Sequence, residues 1–259
     1  MNIPVINLDS IQIVSLAQEA GKEIMEIYKR DFNVYKKSDN SPLTEADLVS
    51  HKVIVEGLKE LTPDLPVLSE ESSQEETKDR MSWQTYWLID PLDGTKEFVK
   101  KNDEFTVNIA LICQNKTIFG VVDAPALKMT YWGGKSFGSY KIDTGVKRPI
   151  VAAKKKCKTS DMNIVGSRSH QSQEFIDFIA NYPGAKVVSM GSSLKLCLVA
   201  EGSADLYPRL GLTSEWDTAA AHAVVEGAGG SVVSFEDDKP LGYNTKQDTL
   251  LNPYFLVSN

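Results

Sequence analysis

The chain has 259 residues, 42% of them apolar and 24% charged, and its 28 basic and 35 acidic residues leave a net charge of −7. That composition excludes a disordered, collagenous or coiled-coil protein, and the length suits one large domain or two intimate ones. A net-negative chain is poorly built to neutralise nucleic-acid phosphates, although a local basic pocket could still hold a small phosphorylated ligand.

In chain order, Ile11, Val14, Leu16, Ala17, Ala20, Ile24, Ile27 and Tyr28 recur at helical spacing, with Asp9 or Ser10 as the N-cap. Lys36–Pro42 is polar and reads as a loop. Thr44 followed by Asp47 has the form of a capping box opening a second helix, with Leu48, Val53, Ile54 and Leu58 as its apolar positions and Thr62–Pro66 as its stop. Short strands follow at Pro66–Leu68 and Tyr86–Ile89, separated by a charged surface loop over 73–80, and the second strand ends in the turn-like DPLDGT. Thr106–Ile112 and Thr117–Val122 form a hairpin across Gln114-Asn115-Lys116, and Thr130–Trp132 and Ser136–Ser139 another across Gly133-Gly134. A lysine-rich stretch over 141–160 separates an α+β half, 1–145, from an α/β half, 146–259. In the second half, strands at Asn163–Val165, Ala185–Val188 and Ala204–Leu206 alternate with helices at Glu174–Asn181, from Leu194 and at Trp216–Gly227. Strands Ser231–Phe235 and Tyr254–Val257 close the chain.

Cys113, Cys157 and Cys197 are far apart and fit no zinc or disulfide pattern, so each is expected to be a small buried hydrophobe in a reduced, cytoplasmic protein. Met1–Asp9 lacks the features of a signal peptide, and the longest apolar runs fall far short of the roughly 20 residues that span a bilayer. Peripheral association with the cytoplasmic side of the inner membrane is compatible with this reading. His51 and His222 sit in helix patterns and read as structural, and the four tryptophans read as packing residues.

Three acidic elements carry the chemistry: Glu70-Glu71 in VLSEES, Asp90 and Asp93 in DPLDGT, and Asp217 in EWDTAA. Each alone is also what a solvated pair, a turn or a helix cap looks like. Brought together, their carboxylates would repel one another unless cations neutralise them, and magnesium suits such oxygen ligands.

Together, VLSEES, WLIDPLDGTKEF and EWDTAAAHAVVEGAGG resemble the lithium-sensitive, magnesium-dependent phosphatase superfamily of inositol monophosphatase, through nearly the whole chain. SRSH, GSSLKLCLVAEG and YPR point to its bisphosphate nucleotidase branch. The resemblance implies an α/β layered αβαβα sandwich of the sugar-phosphatase type, with the site in the cleft between the two halves. It implies that Glu70, Asp90, the Leu92 carbonyl, Asp93 and Asp217 hold two magnesium ions, with Asp90 bridging and Asp47 helping a weaker third. Thr95, with Asp47 or Glu71, would orient and deprotonate the attacking water. Gly94 and Thr95 would meet the phosphate through backbone N–H groups at a helix start. Glu70, Leu92, Asp93 and Asp217 would also face the substrate, and His170, Ser192, Ser193, Lys195 and Arg209 would read the rest of it, with Lys195 and Arg209 on a second phosphate. The implied reaction removes the 3'-phosphate of adenosine 3',5'-bisphosphate, a by-product of sulfate activation, without a phosphoenzyme. An inositol or other sugar phosphate is the alternative substrate. A non-catalytic regulator would have no use for Thr95.

Overall fold

The computed structural model describes residues 9–36, 42–154, 156–166 and 172–259. The first helix, α1 (Ser10–Tyr28), is capped by Asp9, whose carboxylate accepts from the Ile11 and Gln12 amides. Residues 37–41, most of the expected Lys36–Pro42 loop, lie outside the described set, and on either side of them β1 (Val34–Lys36) and β2 (Pro42–Thr44) pair antiparallel. The Thr44–Asp47 capping box forms as expected and opens α2 (Glu45–Leu61). Ile54 and Leu58 are buried, whereas Leu48 faces solvent at 50% exposure because the apolar stripe of α2 runs through Ala46, Ser50, Ile54 and Leu58 instead.

After β3 (Val67–Ser69), the expected surface loop contains one buried residue, Arg80, which reaches the Asn244 side chain and the Lys246 and Gln247 carbonyls. Strand β4 (Thr85–Asp93) runs through the motif that reads as a turn. It is followed by α3 (Thr95–Val99), β5 (Thr106–Cys113), β6 (Lys116–Ala124), β7 (Met129–Gly134), β8 (Gly138–Asp143) and β9 (Val146–Ile150). The β5–β6 hairpin turns on Gln114 and Asn115, both at positive φ, as a two-residue turn requires. The β7–β8 turn falls at 135–137, so Gly133 and Gly134 belong to β7.

The second half supplies β10 (Asn163–Gly166), α4 (Gln173–Ile179), β11 (Lys186–Ser189), α5 (Leu194–Ala200), β12 (Leu206–Arg209), α6 (Trp216–Gly227), β13 (Ser231–Ser234) and β14 (Phe255–Ser258). Strands β3 to β9 lie in sequence order in a seven-stranded sheet, parallel only at β3–β4, so sheet membership changes after Ile150. The five-stranded sheet has the order β11-β10-β12-β14-β13.

Helices α1 and α2 bury Ile13, Ala17, Ile24, Ile54 and Leu58 against one face of the large sheet, through Trp87, Ile89, Ile109 and Val121. Helices α5 and α6 fill the space between the two sheets, with Cys197, Ala220 and Val224 against Leu88, Val122 and Val257. Helix α4 covers the far face of the small sheet through Phe175. The layers are therefore αβαβα. Cys113 and Cys197 are buried as expected, while Cys157 is exposed because it sits in the polar connection after β9.

Candidate active site

The site begins with a bulge. Asp90 pairs with Asn108 across β4–β5, and Asp93 pairs with Thr106, so three steps on β4 match two on β5. In a regular strand, residues i and i+3 point to opposite faces. One inserted residue puts Asp90 and Asp93 on the same side. Pro91, which has no N–H to give the ladder, sits in that bulge, and its carbonyl accepts from Ser50 on α2 at 2.7 Å. The start of α6 faces the bulge with Asp217. One carboxylate oxygen from each of Asp90, Asp93 and Asp217 lies within 4.8 Å of the others.

This cluster is electrostatically unfavourable by itself. Burial holds Asp90 well above the ordinary carboxylate pKa, and Glu70, Asp93 and Asp217 push it further. Burial also raises Asp217, with Asp93 and Glu70 adding to the effect. The backbone answers only in part: the Leu92 amide donates to Asp90 Oδ1 at 3.0 Å and the Ser214 amide to Asp217 Oδ2 at 3.0 Å. An all-oxygen donor set, crowded and buried, fits hard divalent cations such as magnesium.

Gly94 follows at φ +90°. A Cβ there would meet Glu104 O at 3.1 Å and Phe105 Cα at 3.3 Å, so the backbone needs glycine to turn into α3. Thr95 Oγ1 lies 3.3 Å from Asp47 Oδ1 and 3.3 Å from the Leu92 carbonyl. Asp47 is buried, and its Oδ2 accepts from both the amide and the hydroxyl of Thr44, each at 2.7 Å. The half-buried Glu71 follows β3, its amide bonded to Ser69 Oγ, and its charge acts on His51.

The facing wall comes from the second half. A cleft of about 480 Å³ brings Glu70, Asp90, Asp93, Thr95 and Asp217 together with Lys195 and Arg209. Lys195 Nζ donates to the Ser192 carbonyl at 2.6 Å, and burial lowers its pKa against the opposing pull of Asp93. Arg209 donates from Nε to Thr213 Oγ1 and from Nη2 to the Leu212 carbonyl, both at 2.6 Å. Ser192 and Ser193 line the same cleft, but neither hydroxyl caps α5: Ser192 Oγ and the Ser193 amide both donate to Asp93 Oδ2, the latter at 2.6 Å. His170 lies outside the described residues.

Sequence reasoning passed over Thr106, Asn108 and Glu104. Thr106 and Asn108, fully buried on β5, bond the two serines, and Glu104 Oε2 accepts from the Gly191 amide at 2.8 Å. Two polar residues at i and i+2 in the otherwise apolar run TVNIALI were the available signal.

The profile of the inositol monophosphatase family matches residues 7–259. The 3'(2'),5'-bisphosphate nucleotidase CysQ of Salmonella typhimurium is 47% identical over 249 residues, spanning 95% of this chain and 98% of that protein. The crystal structure of CysQ from Bacteroides thetaiotaomicron superposes with a TM-score of 0.83 at 39% identity, over 96% of each chain. A Thermotoga maritima IMPase shares the fold at 24% identity, with a TM-score of 0.77 over 97% of this chain and 92% of its own. With a sandwich of this layering, acids gathered at a bulge and a profile match over nearly its full length, the chain belongs to the inositol monophosphatase family.

Proposed function

We propose that the protein is a magnesium-dependent phosphatase that converts adenosine 3',5'-bisphosphate and water into AMP and phosphate. The observation that carries this reading is the composition of the cleft: three mutually repelling carboxylates within 4.8 Å of one another, with Lys195 and Arg209 lining the same cleft. The acids suit the reacting phosphate with its cations, and the two bases suit a second phosphate that a monophosphate lacks. The 47% identity to a bisphosphate nucleotidase supports the same substrate.

In this reading, Asp90, Asp93, Asp217, Glu70 and the Leu92 carbonyl would hold two magnesium ions, and Asp47 would help a third. Bound there, magnesium supplies positive charge for the phosphoryl group and for the attacking and leaving oxygens of an in-line displacement. The chain's own residues position and move the proton. When Thr95 gives its hydroxyl proton to Asp47 Oδ1, its lone pairs can accept the proton of the attacking water. Asp47, rather than Glu71, is the acceptor in this reading because the Thr95 hydroxyl is bonded to it. Lys195 and Arg209 exchange their present oxygen partners for oxygens of the 5'-phosphate, a charge-assisted trade. Residues 1–145 thus carry most of the cation ligands, while 146–259 carry the substrate-reading side and Asp217.

A cytoplasmic setting is supported by the three free cysteines, and no described helix is long and apolar enough to cross a membrane. The test is phosphate release with magnesium from adenosine 3',5'-bisphosphate, inositol 1-phosphate and fructose 1,6-bisphosphate side by side. Strong preference for the nucleotide, lost on chelation, is expected. Preference for a sugar phosphate would keep the cation site and overturn the roles given to Lys195 and Arg209.

A further inference from the structure

We infer that Thr106, buried on β5 and outside the lining of the substrate cleft, is a positioning residue that sets Asp93 through Ser192. The inference rests on the reading of Asp93 as a cation ligand. Thr106 stands directly across the strand pair from Asp93, and its Oγ1 lies 2.6 Å from Ser192 Oγ and 2.8 Å from Ser193 Oγ. Asn108, across from Asp90, donates from Nδ2 to Thr106 Oγ1 at 3.2 Å and accepts from Ser193 Oγ at 2.8 Å. The four side chains form one buried rack between the large sheet and the 191–193 loop.

Proton counting gives this rack a direction. A carboxylate only accepts, so Ser192 spends its single hydroxyl proton on Asp93. The hydrogen bond between Thr106 and Ser192 must then be donated by Thr106. The chain runs Thr106 to Ser192 to Asp93, each donor polarising the next. Ser193 places its own proton on Asn108 Oδ1, so the Thr106 proton lies between the two serine hydroxyls, and the Ser193 amide supplies the second bond to Asp93 Oδ2.

A second observation points the same way. Ser192 sits at φ +52°, a left-handed conformation that is unfavourable for a non-glycine residue and that its contacts must offset. What holds it is the rack on one side and Asp93 on the other. The neighbouring loop residue, Gly191, is tied to Glu104. The first half's cation ligand is therefore oriented by a loop of the second half, and that loop is seated by β5 of the first. Outer groups that orient ligands typically matter by about 10–100-fold in metal affinity.

The experiment measures Mn2+ binding to the full chain, without substrate, by electron paramagnetic resonance, alongside thermal unfolding. Thr106→Val keeps the shape and removes the donor, and is expected to weaken the tightest Mn2+ site about 10-fold. Thr106→Ser, which restores the hydroxyl, is expected to recover most of that loss. Ser192→Gly relieves the left-handed backbone, so it is expected to unfold no earlier than the wild type while binding Mn2+ about 10-fold more weakly. In the double variant the two losses should not multiply, because Thr106 acts through Ser192. Wild-type Mn2+ affinity in Thr106→Val, or in Ser192→Gly if the valine variant does not fold, overturns the inference, and so do multiplying losses. A wild-type chain that binds no Mn2+ overturns the cation site itself and the inference with it.

Discussion

Strands β4 and β6 each carry a buried aspartate, on opposite faces of the same sheet. Asp90 is 1% exposed and faces α6, and Asp123 is 4% exposed and packs against Gly21 of α1. Both are held above the ordinary carboxylate pKa, but for different reasons. Asp90 is raised by burial and then by Glu70, Asp93 and Asp217. Asp123 is raised to about 7 by burial alone, with the Thr130 hydrogen bond and Lys22 pulling it back. Burial of one acid is a local cost that one hydroxyl, here Thr130 Oγ1 at 2.7 Å, partly offsets. Burial of several together creates a demand for cations. A single buried acid is therefore weak grounds for a site, and a crowd of them is strong grounds.

The largest expected effect tests the crowd. Asp93→Asn removes one charge with almost no change in shape. Turnover with magnesium is expected to fall by about three orders of magnitude, the scale seen when a preorganised electrostatic partner is lost. Unfolding without added cations is expected at the same temperature or higher, since repulsion among neighbours is relieved. Wild-type turnover would remove Asp93 from the cation site.

The lone acid gives the next largest effect, in stability rather than rate. The folded pKa of Asp123, about 7, lies above the unfolded value of about 3.9, so the folded state binds the proton more tightly. Its favourable contribution is complete below the unfolded pKa and is lost as pH rises through about 7, which amounts to a few kcal/mol on a buried group. Asp123→Asn should therefore unfold at higher temperature than the wild type at pH 8, with the advantage shrinking towards pH 4. Activity at neutral pH should be unchanged. A constant offset across that range would mean that Asp123 is not protonated in the fold.

On the substrate side the effects are smaller and selective. Lys195→Ala and Arg209→Ala each remove one charge-assisted contact, worth about 1.5–3 kcal/mol, or roughly 10–100-fold in kcat/KM for the bisphosphate. Hydrolysis of a monophosphate should change much less. Equal losses on both substrates would mean that these residues do not read the second phosphate.

The two walls of the cleft also differ in how legible they were. The acids could be read because their identity and motif spacing carry the chemistry, and DPLDGT and EWDTAA state it within single segments. Even so, DPLDGT reads locally as a turn. Only its register against β5 shows a strand with a bulge, and that pairing is a non-local fact. Ser192 and Ser193, expected to bind substrate, line the cleft. Their hydrogen bonds to Asp93 depend on Thr106 and Asn108, more than eighty residues away in sequence. Arg80 looked like part of a solvated charged loop because its partners, Asn244 and the 246–247 carbonyls, are brought to it only by tertiary packing. The caps at Asp9 and Thr44, the β5–β6 turn and the αβαβα layering were legible because each follows from a local motif or from the family resemblance, whereas the β7–β8 turn was placed too early, at Gly133-Gly134.

Asp47 belongs to both classes of acid and gives the smallest and most pointed test. One of its oxygens is structural: Oδ2 closes the capping box on Thr44. The other, Oδ1, meets the Thr95 hydroxyl. Thr44→Ala removes one of the two donors to Oδ2 and leaves the amide in place. The lost cap is expected to cost about 1 kcal/mol of stability. If the box also aims Oδ1, turnover should fall a few-fold at unchanged KM, because the carboxylate then samples rotamers that miss Thr95. The Thr44→Ser variant keeps the hydroxyl and should recover both losses. A variant that loses the stability alone would show that the cap and the proton acceptor share a residue without sharing a mechanism.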